Sequence, residues 1–399
     1  MATLVDDIRP PDPPGALTWL RQNLFNSWYN SILTVIAGAF TAWALFAVLR
    51  WVFVTADWSP VTSRPLLYLV GQYPRQELWR IGASLALISA LFGLSWGVWG
   101  GIMRAFALAL MFTLGLLAVL PTASAQFTTG IRVFLASNLV LIYGANLIGR
   151  RGRISSRFTL FAWLISAVLS LILLHGFGGR LPVVGTNLWG GLLLTILLAV
   201  GGIVLSFPIG VLLALGRRSS LPVISAFSTF FIEVVRGVPL IGILFMSSII
   251  IPLFLPAEVR IDRLVRALLG MTLFSAAYMA ENVRGGLQAI PPGQVEASKA
   301  LGLSNFQMTL RIILPQALRA VIPAIVGQFI ALFKDTTLAV GVGLLELLGV
   351  AQSILQASPE FFSLQAEVYI FVASVFWVLS YSLSFASRKV EAALGVGVR

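Results

Sequence analysis

Ten long apolar runs constrain what this chain can fold into more than any other feature. They lie near residues 31–54, 82–99, 105–121, 131–149, 158–175, 189–215, 237–256, 267–288, 320–342 and 368–387. A helix rises 1.5 Å per residue, so about 20 apolar residues cross a hydrocarbon layer roughly 30 Å thick. The runs meet that test, and the chain is expected to be an all-α, polytopic membrane protein. Ten spans fit the pattern, within a range of eight to ten, because Met103 and Arg104 leave only a very tight turn between the second and third. Hydrophobic residues make up 58% of the sequence and charged residues 11%, against about 25% charge in a soluble domain. That balance excludes soluble globular, disordered and collagenous classes.

The remaining charge is basic, with 27 Lys+Arg against 15 Asp+Glu and a net +12. In a soluble chain this would point to nucleic acid, but no basic stripe interleaved with aromatics is present. The arginines sit between apolar runs, where positive charge holds loops in the cytoplasm. An even span count then leaves both termini cytoplasmic. Arg150, Arg151, Arg153, Arg157, Arg217, Arg218, Arg388 and Lys389 fall inside, and Arg64, Arg75 and Arg80 outside. Residues 1–30 carry Asp6, Asp7 and Asp12 among prolines, lack the basic start of a signal peptide and read as a cytoplasmic tail. Trp28, Trp51, Trp58, Trp79 and Trp189 fall near span ends, as interfacial anchors do.

Polarity divides the chain. Residues 31–185 are expected to form additional N-terminal helices with few polar groups inside them. Residues 186–390 form the working module, whose runs carry Glu233, Arg236, Glu281, Arg284, Lys334 and Asp335. Ionisable groups at membrane depth are costly unless paired or hydrated, so they mark function more often than structure. There is no cysteine, which excludes disulfides and thiolate metal sites. His175 ends an apolar run with no partner histidine and reads as an interfacial residue. The three lysines follow Ser298, Phe333 and Arg388, so no G-x-x-x-x-G-K-[ST] phosphate loop exists. No catalytic set and no metal-ligand set is present, and the chain is not expected to be an enzyme.

Between the eighth and ninth runs lies a stretch too polar for the bilayer, residues 291–318. Pro291, Pro292 and Gly293 end the preceding span. Glu296 through Leu301 is expected to be a short helix of small residues with a negative charge near its start, favourable against the helix dipole. Gly302 can take the left-handed conformation that closes such a helix. Ser304 with Gln307 has the form of a capping box opening a second helix, and Pro315 is expected to stop or kink it. The small Ala297, Ser298 and Ala300 let a partner's groove approach the backbone closely, which suits a docking knob.

This stretch resembles the EAA loop of ABC importer permeases. The family pattern is Glu-Ala-Ala, three residues, Gly, nine residues, Ile, one residue, Leu-Pro. Glu296-Ala297-Ser298, Gly302, Ile312 and Leu314-Pro315 stand at that spacing, with Ser298 replacing the second alanine. Segments 231–240, 277–286 and 333–338 narrow the resemblance to polar amino-acid permeases, over about 186–390. The long N-terminal extension is similar in layout to the larger permease of general amino-acid uptake systems.

The resemblance implies a type I importer permease core in a bacterial inner membrane. A periplasmic binding protein would deliver polar L-amino acids, and a second permease subunit, as a heterodimer, would complete the path. An ATP-binding subunit would dock at Glu296, Ala297, Ser298, Ala300, Gly302, Ile312, Leu314 and Pro315. ATP and Mg would belong to that partner, with no cofactor on this chain, membrane lipid around it and no nucleic acid.

The polar residues keep two readings. Glu281 and Arg284, three apart, share a helix face and can pair, either as a structural lock or as part of the translocation path or gate. Glu233 and Arg236 repeat that spacing ahead of Gly237 and Pro239 and read as structural near the interface. Lys334, Asp335 and Thr336, in the ninth run, are the candidates for the cavity wall. Pro208, Pro239 and Pro252 interrupt runs, as in many transporters. Two rival classes are an ion-coupled secondary transporter acting without an ATPase and a membrane enzyme.

Overall fold

The computed structural model describes residues 15–119, 127–256 and 258–395, and among these there are helices and turns but no strand. Residues 1–14, which carry the acidic part of the expected tail, lie outside the described residues. The chain divides into two units, 1–57 and 58–399. The first holds α1 (Ala16–Asn23) and α2 (Trp28–Arg50). Ser27 caps α2 by accepting from the Asn30 N–H, and the helix runs on through a π turn at Trp51–Thr55. None of its residues is buried. A helix apolar on every side is at home in lipid.

The second unit opens with two short helices, α3 (Ser59–Thr62) and α4 (Pro65–Val70), each with proline in its first turn. Four longer helices follow: α5 (Leu78–Trp99), α6 (Gly101–Val119), α7 (Thr129–Arg150) and α8 (Ser156–His175). In lipid, close helix contact comes from small residues rather than from burial of apolar surface. Gly93 and Gly97 supply it here. A Cβ at Gly93 would clash with the Ile142 carbonyl of α7, and one at Gly97 would meet the Asn146 carbonyl at 2.5 Å. The Trp163 indole donates to Ser95 Oγ at 2.9 Å and ties α8 to the same helix.

The second half begins with α9 (Gly191–Arg217), which accommodates Pro208, and continues with α10 (Pro222–Gly237), α11 (Leu240–Phe245), α12 (Ile251–Leu253) and α13 (Arg263–Gln288). The expected single span at 237–256 is not what forms. Residues 222–237 and 240–253 make a pair bent by 108°. Pro239 has no N–H and drives the preceding residue out of the helical region, and Val238 is accordingly extended at φ −109°. The upstream arm was missed because Ser225, Ser228, Glu233 and Arg236 interrupt its apolar character.

Helices α14 (Pro292–Ala300), α15 (Asn305–Met308) and α16 (Leu314–Ala320) form the polar loop, and α17 (Ile322–Asp335) returns to the bundle. A 3-10 turn at Thr336–Val342 leads to α18 (Leu347–Ala357), and α19 (Gln365–Leu394) ends the described chain. Eight helices are long and apolar enough to span among the described residues, or nine with the bent pair. Met103–Val119 is a shorter apolar helix. Every expected run therefore has a helical counterpart within the eight-to-ten range.

The two ends of this unit are defined by side-chain bonds. Arg218 Nη1 donates to the Leu287 carbonyl at 3.2 Å, so α9 ends beside the end of α13, at the face that carries the polar loop. At the far face Arg263 donates to Gly343 and Thr186 to Asp262. Helices α3 and α4 lie at that far end. Tyr68, 2% exposed, is in one core with Ala199, Phe333, Leu347 and Val350, and its ring meets Phe371 of α19 edge-on at 5.1 Å. Arg64 donates to Ser358 Oγ at 3.1 Å and stacks over Phe361. Residues that precede the four-helix bundle thus help build the core of the second half.

Also at the far face, Glu346 is fully buried as the N-cap of α18. Its carboxylate accepts from the Leu348 and Gly349 N–H groups at 3.0 and 2.9 Å, and Thr195 of α9 accepts from Leu347 N–H at 3.1 Å. Burial pushes the Glu346 carboxyl up to about 7, opposed by those N–H bonds and by Thr195. The raised value means that the folded state holds its proton where the unfolded chain has released it. Stability from this group is complete below about pH 4, falls from there to about 7, and is level above. In thermal or chemical denaturation of the purified protein, the stability of wild type minus that of Glu346→Gln should drop by about 3 kcal/mol across that window. A difference independent of pH would refute it.

Candidate functional site

The polar loop is built to present one side and anchor the other. Helix α14 starts at Pro292, four residues earlier than expected, because proline is pre-set for the first turn of a helix. Glu296 therefore stands in mid-helix, and the expected charge–dipole benefit is absent, with no acid in the first turn. Ser298 is 3% exposed and turns inward, its hydroxyl donating to the Gln294 carbonyl at 2.6 Å. Glu296, Ala297, Lys299, Ala300 and Gly302 are exposed, and beside them Leu301 and Phe306 stand 79% and 73% exposed. Gly302 adopts φ +71° and nothing lies within 4 Å of where its Cβ would be.

The expected capping box is present. Ser304 Oγ accepts from the Gln307 N–H at 3.3 Å while Gln307 Oε1 accepts from the Ser304 N–H at 3.2 Å. Pro315, however, neither stops the helix nor precedes the span directly. A π turn at Thr309–Ile313 joins α15 to α16, and Pro315 falls in the first turn of α16. The extra residue of a π turn frees the backbone that a proline cannot bond. The break comes instead at Val321, ahead of Pro323. Ile313 and Ala317 are buried against Val283 and Leu287 of α13, with Ile312 and Leu314 packed beside them. Of the expected docking residues, Glu296, Ala297, Ala300, Gly302 and Pro315 are exposed, Ser298 turns inward onto its own helix, and Ile312 and Leu314 pack against the bundle.

About two helical turns from the loop end of α13, Glu281 gathers three guanidinium groups. Arg284 reaches its Oε2 at 2.7 Å, as the i, i+3 spacing suggested, and Arg217 of α9 reaches Oε1 at 2.7 Å. Arg236 of α10 lies 3.6 Å from Oε2 and stacks over the Tyr278 ring. Glu233 pairs with Arg217 at 2.8 Å, and no ion pair joins it to Arg236. The cluster ties α9, α10 and α13 together next to the loop and, with three arginines to two glutamates, leaves one positive charge in excess. Glu281 is only 14% exposed. The sequence reading missed Arg217, whose basic character at a span end was absorbed by topology; its partners stand 16 and 64 residues away. Gly237 and Pro239 mark the bend just below.

Lys334, Asp335 and Thr336 lie elsewhere. Asn282, next to Glu281, approaches the Ala324 carbonyl near the start of α17, whereas Lys334 and Asp335 end that helix. Ten residues separate the two levels, about 15 Å along the axis. Lys334 is exposed and Asp335 half-buried, and among the described residues no ion pair engages either. Thr336 is buried and its hydroxyl donates to Phe333 O at 2.7 Å. The expected gate residues thus form two levels, one beside the loop and one toward the far face. His175 stacks edge-on against Trp189, consistent with a terminal aromatic contact. Among the described residues no group of three metal-ligating side chains occurs.

Comparison with known proteins matches residues 206–396 to the binding-protein-dependent transport system inner membrane component family. Over 97% of both chains the sequence is 37% identical to the inner membrane amino-acid ABC transporter permease protein YhdY of Escherichia coli K12. It is 34% identical, over 96% of this chain and 94% of the other, to the glutamate/glutamine/aspartate/asparagine transport system permease protein BztC of Rhodobacter capsulatus. The probable glutamine ABC transporter permease protein GlnP of Bacillus subtilis is 36% identical, over 51% of this chain and 92% of its own length.

Proposed function

The chain belongs to the family of binding-protein-dependent transport system inner membrane components, among the amino-acid ABC importer permeases, and on that premise we propose that it carries polar L-amino acids inward under ATP drive. It is a multi-pass inner-membrane subunit of a larger transporter. A periplasmic binding protein delivers the substrate to the far face, a second permease completes the path, and a separate ATPase supplies ATP and Mg. Both termini lie in the cytoplasm, on the same side as the loop. Glutamate, glutamine, aspartate and asparagine are the first substrates to test, by similarity to the relatives.

The observation that carries the reading is the exposed crest of α14. Ala297, Ala300 and Gly302 offer small surface, Leu301 and Phe306 offer two uncovered apolar side chains, and Ile313 and Ala317 fix the other side to α13. Exposed apolar side chains rimmed by polar ones mark a protein contact, and anchorage to α13 gives displacement of the crest a route to the Glu281 cluster. In this reading the cluster is the gate next to the ATPase, and Lys334, Asp335 and Thr336 line the path nearer the substrate's entry.

The test is recovery of the tagged chain from membranes in mild detergent, with assays of the recovered partners. Copurification of an ATPase and a second permease, and uptake of glutamate or glutamine that requires ATP in reconstituted vesicles, is the expected result. Uptake by the chain alone without nucleotide would move the assignment to a secondary transporter.

A further inference from the structure

The four-helix bundle α5–α8 carries an arginine cluster apart from the polar loop and the Glu281 cluster. Between Glu77 and Glu233 the sequence contains no acidic residue, yet Arg104, Arg150, Arg151, Arg153 and Arg157 collect at the loop-face end of this bundle. Arg104 opens α6 directly after α5 ends, and the other four surround the turn from α7 to α8. Arg150 stacks over Trp96 of α5 at 5.7 Å, and the close approach of Gly97 to Gly149 brings those helix ends together. All five side chains are exposed. Among the described residues no ion pair engages any of them.

Positive charge on a loop at this face is expected from topology alone. Two features go further. Arg153 and Arg157 flank the start of α8, whose first turn carries no acid, and cations there oppose the helix dipole. A neighbouring anion would offset that cost. Directly below, the outward half of α8 is apolar and uncovered from Phe158 and Leu160 through Leu164 and Val168 to Leu171 and Ile172. Charge above an open apolar face is the complement of a phosphate headgroup with acyl chains. All five groups are guanidinium forks, which hold phosphate in a bidentate manner.

We propose that the loop-face end of α5–α8 seats an anionic phospholipid, its phosphate held by Arg151, Arg153 and Arg157 and its chains along the exposed face of α8. The site gives the N-terminal helices a role of their own, separate from the transport path and independent of which substrate is carried.

The test uses the whole transporter in detergent, offered equimolar dioleoyl phosphatidylglycerol and dioleoyl phosphatidylcholine, with bound lipid counted by native mass spectrometry. Wild type should retain phosphatidylglycerol selectively, and millimolar glycerol 3-phosphate should not displace it. R151Q/R153Q/R157Q should weaken phosphatidylglycerol binding about a hundredfold, roughly a factor of five per arginine removed near an anionic surface. R151K/R153K/R157K should bind more tightly than the glutamine variant but less tightly than wild type, because an ammonium keeps the charge and loses the bidentate fork. Equal retention of the two lipids by wild type overturns the proposal, as does unchanged binding by the glutamine variant. Displacement by glycerol 3-phosphate would make this a soluble-phosphate site and also overturn it. The wild-type competition decides alone if the triple variant does not assemble.

Discussion

Gly302→Asp abolishes uptake and the recovery of ATPase activity with the chain, while the membrane bundle stays folded. The position has φ +71° and open space around the missing Cβ. Asp is among the few residues that tolerate the left-handed region, so the local strain is at most about 1–2 kcal/mol. The carboxylate, however, stands on the exposed crest between Ala300 and Phe306, where the ATPase is proposed to seat. A charge buried in such a contact without a partner is costly, enough to reduce complex formation by orders of magnitude. Copurification of ATPase activity with the variant at the wild-type level would show that the crest is not the docking surface. An unaltered melting temperature beside lost copurification separates docking from misfolding.

Glu281→Ala has a different expected signature: the ATPase is still recovered, but uptake falls about tenfold or more and the transporter melts earlier. Removing the carboxylate leaves Arg217, Arg236 and Arg284 converging on one point without their shared counter-charge, all previously within 3.6 Å of it. Losing one partner of a fully buried pair costs about 3–5 kcal/mol. The three arginines are 26–35% exposed, so solvent screening reduces the expected loss to about 1–3 kcal/mol. Relief should come from within the cluster. Arg217→Gln placed on Glu281→Ala should cost less than the sum of the two single changes, and strict additivity would mean that the cluster does not act as a unit.

Much of this architecture was legible because it depends on local physics. Apolar runs became helices at nearly their expected limits, since lipid leaves the backbone no other partner than itself. Gly302 and the Ser304–Gln307 cap needed only short-range geometry, and so did the Glu281–Arg284 pair. What the sequence hid was assembled over distance. Arg217 joins the cluster across 64 residues. The helix at 222–237 is too polar to stand out as a run, so the 108° bend at Val238 and Pro239 read as the start of a span rather than as the middle of a bent pair. Pro315 read locally as a stop, yet a π turn three-dimensionally absorbs it. Helices α3 and α4 gave no signal at all, because a short segment with one tyrosine declares its partner only once that partner is folded.

Tyr68 is made early, and Phe371, which it meets edge-on, is made about 300 residues later. At roughly 5–20 residues per second of synthesis, the tyrosine waits some 15–60 seconds for its neighbour. Until α19 arrives, the core around Tyr68 lacks the wall that Val368, Phe371 and Val372 supply. Closure of the far end around Tyr68 thus waits for α19. A chain released short of α19 leaves Tyr68 without the Phe371 ring against it.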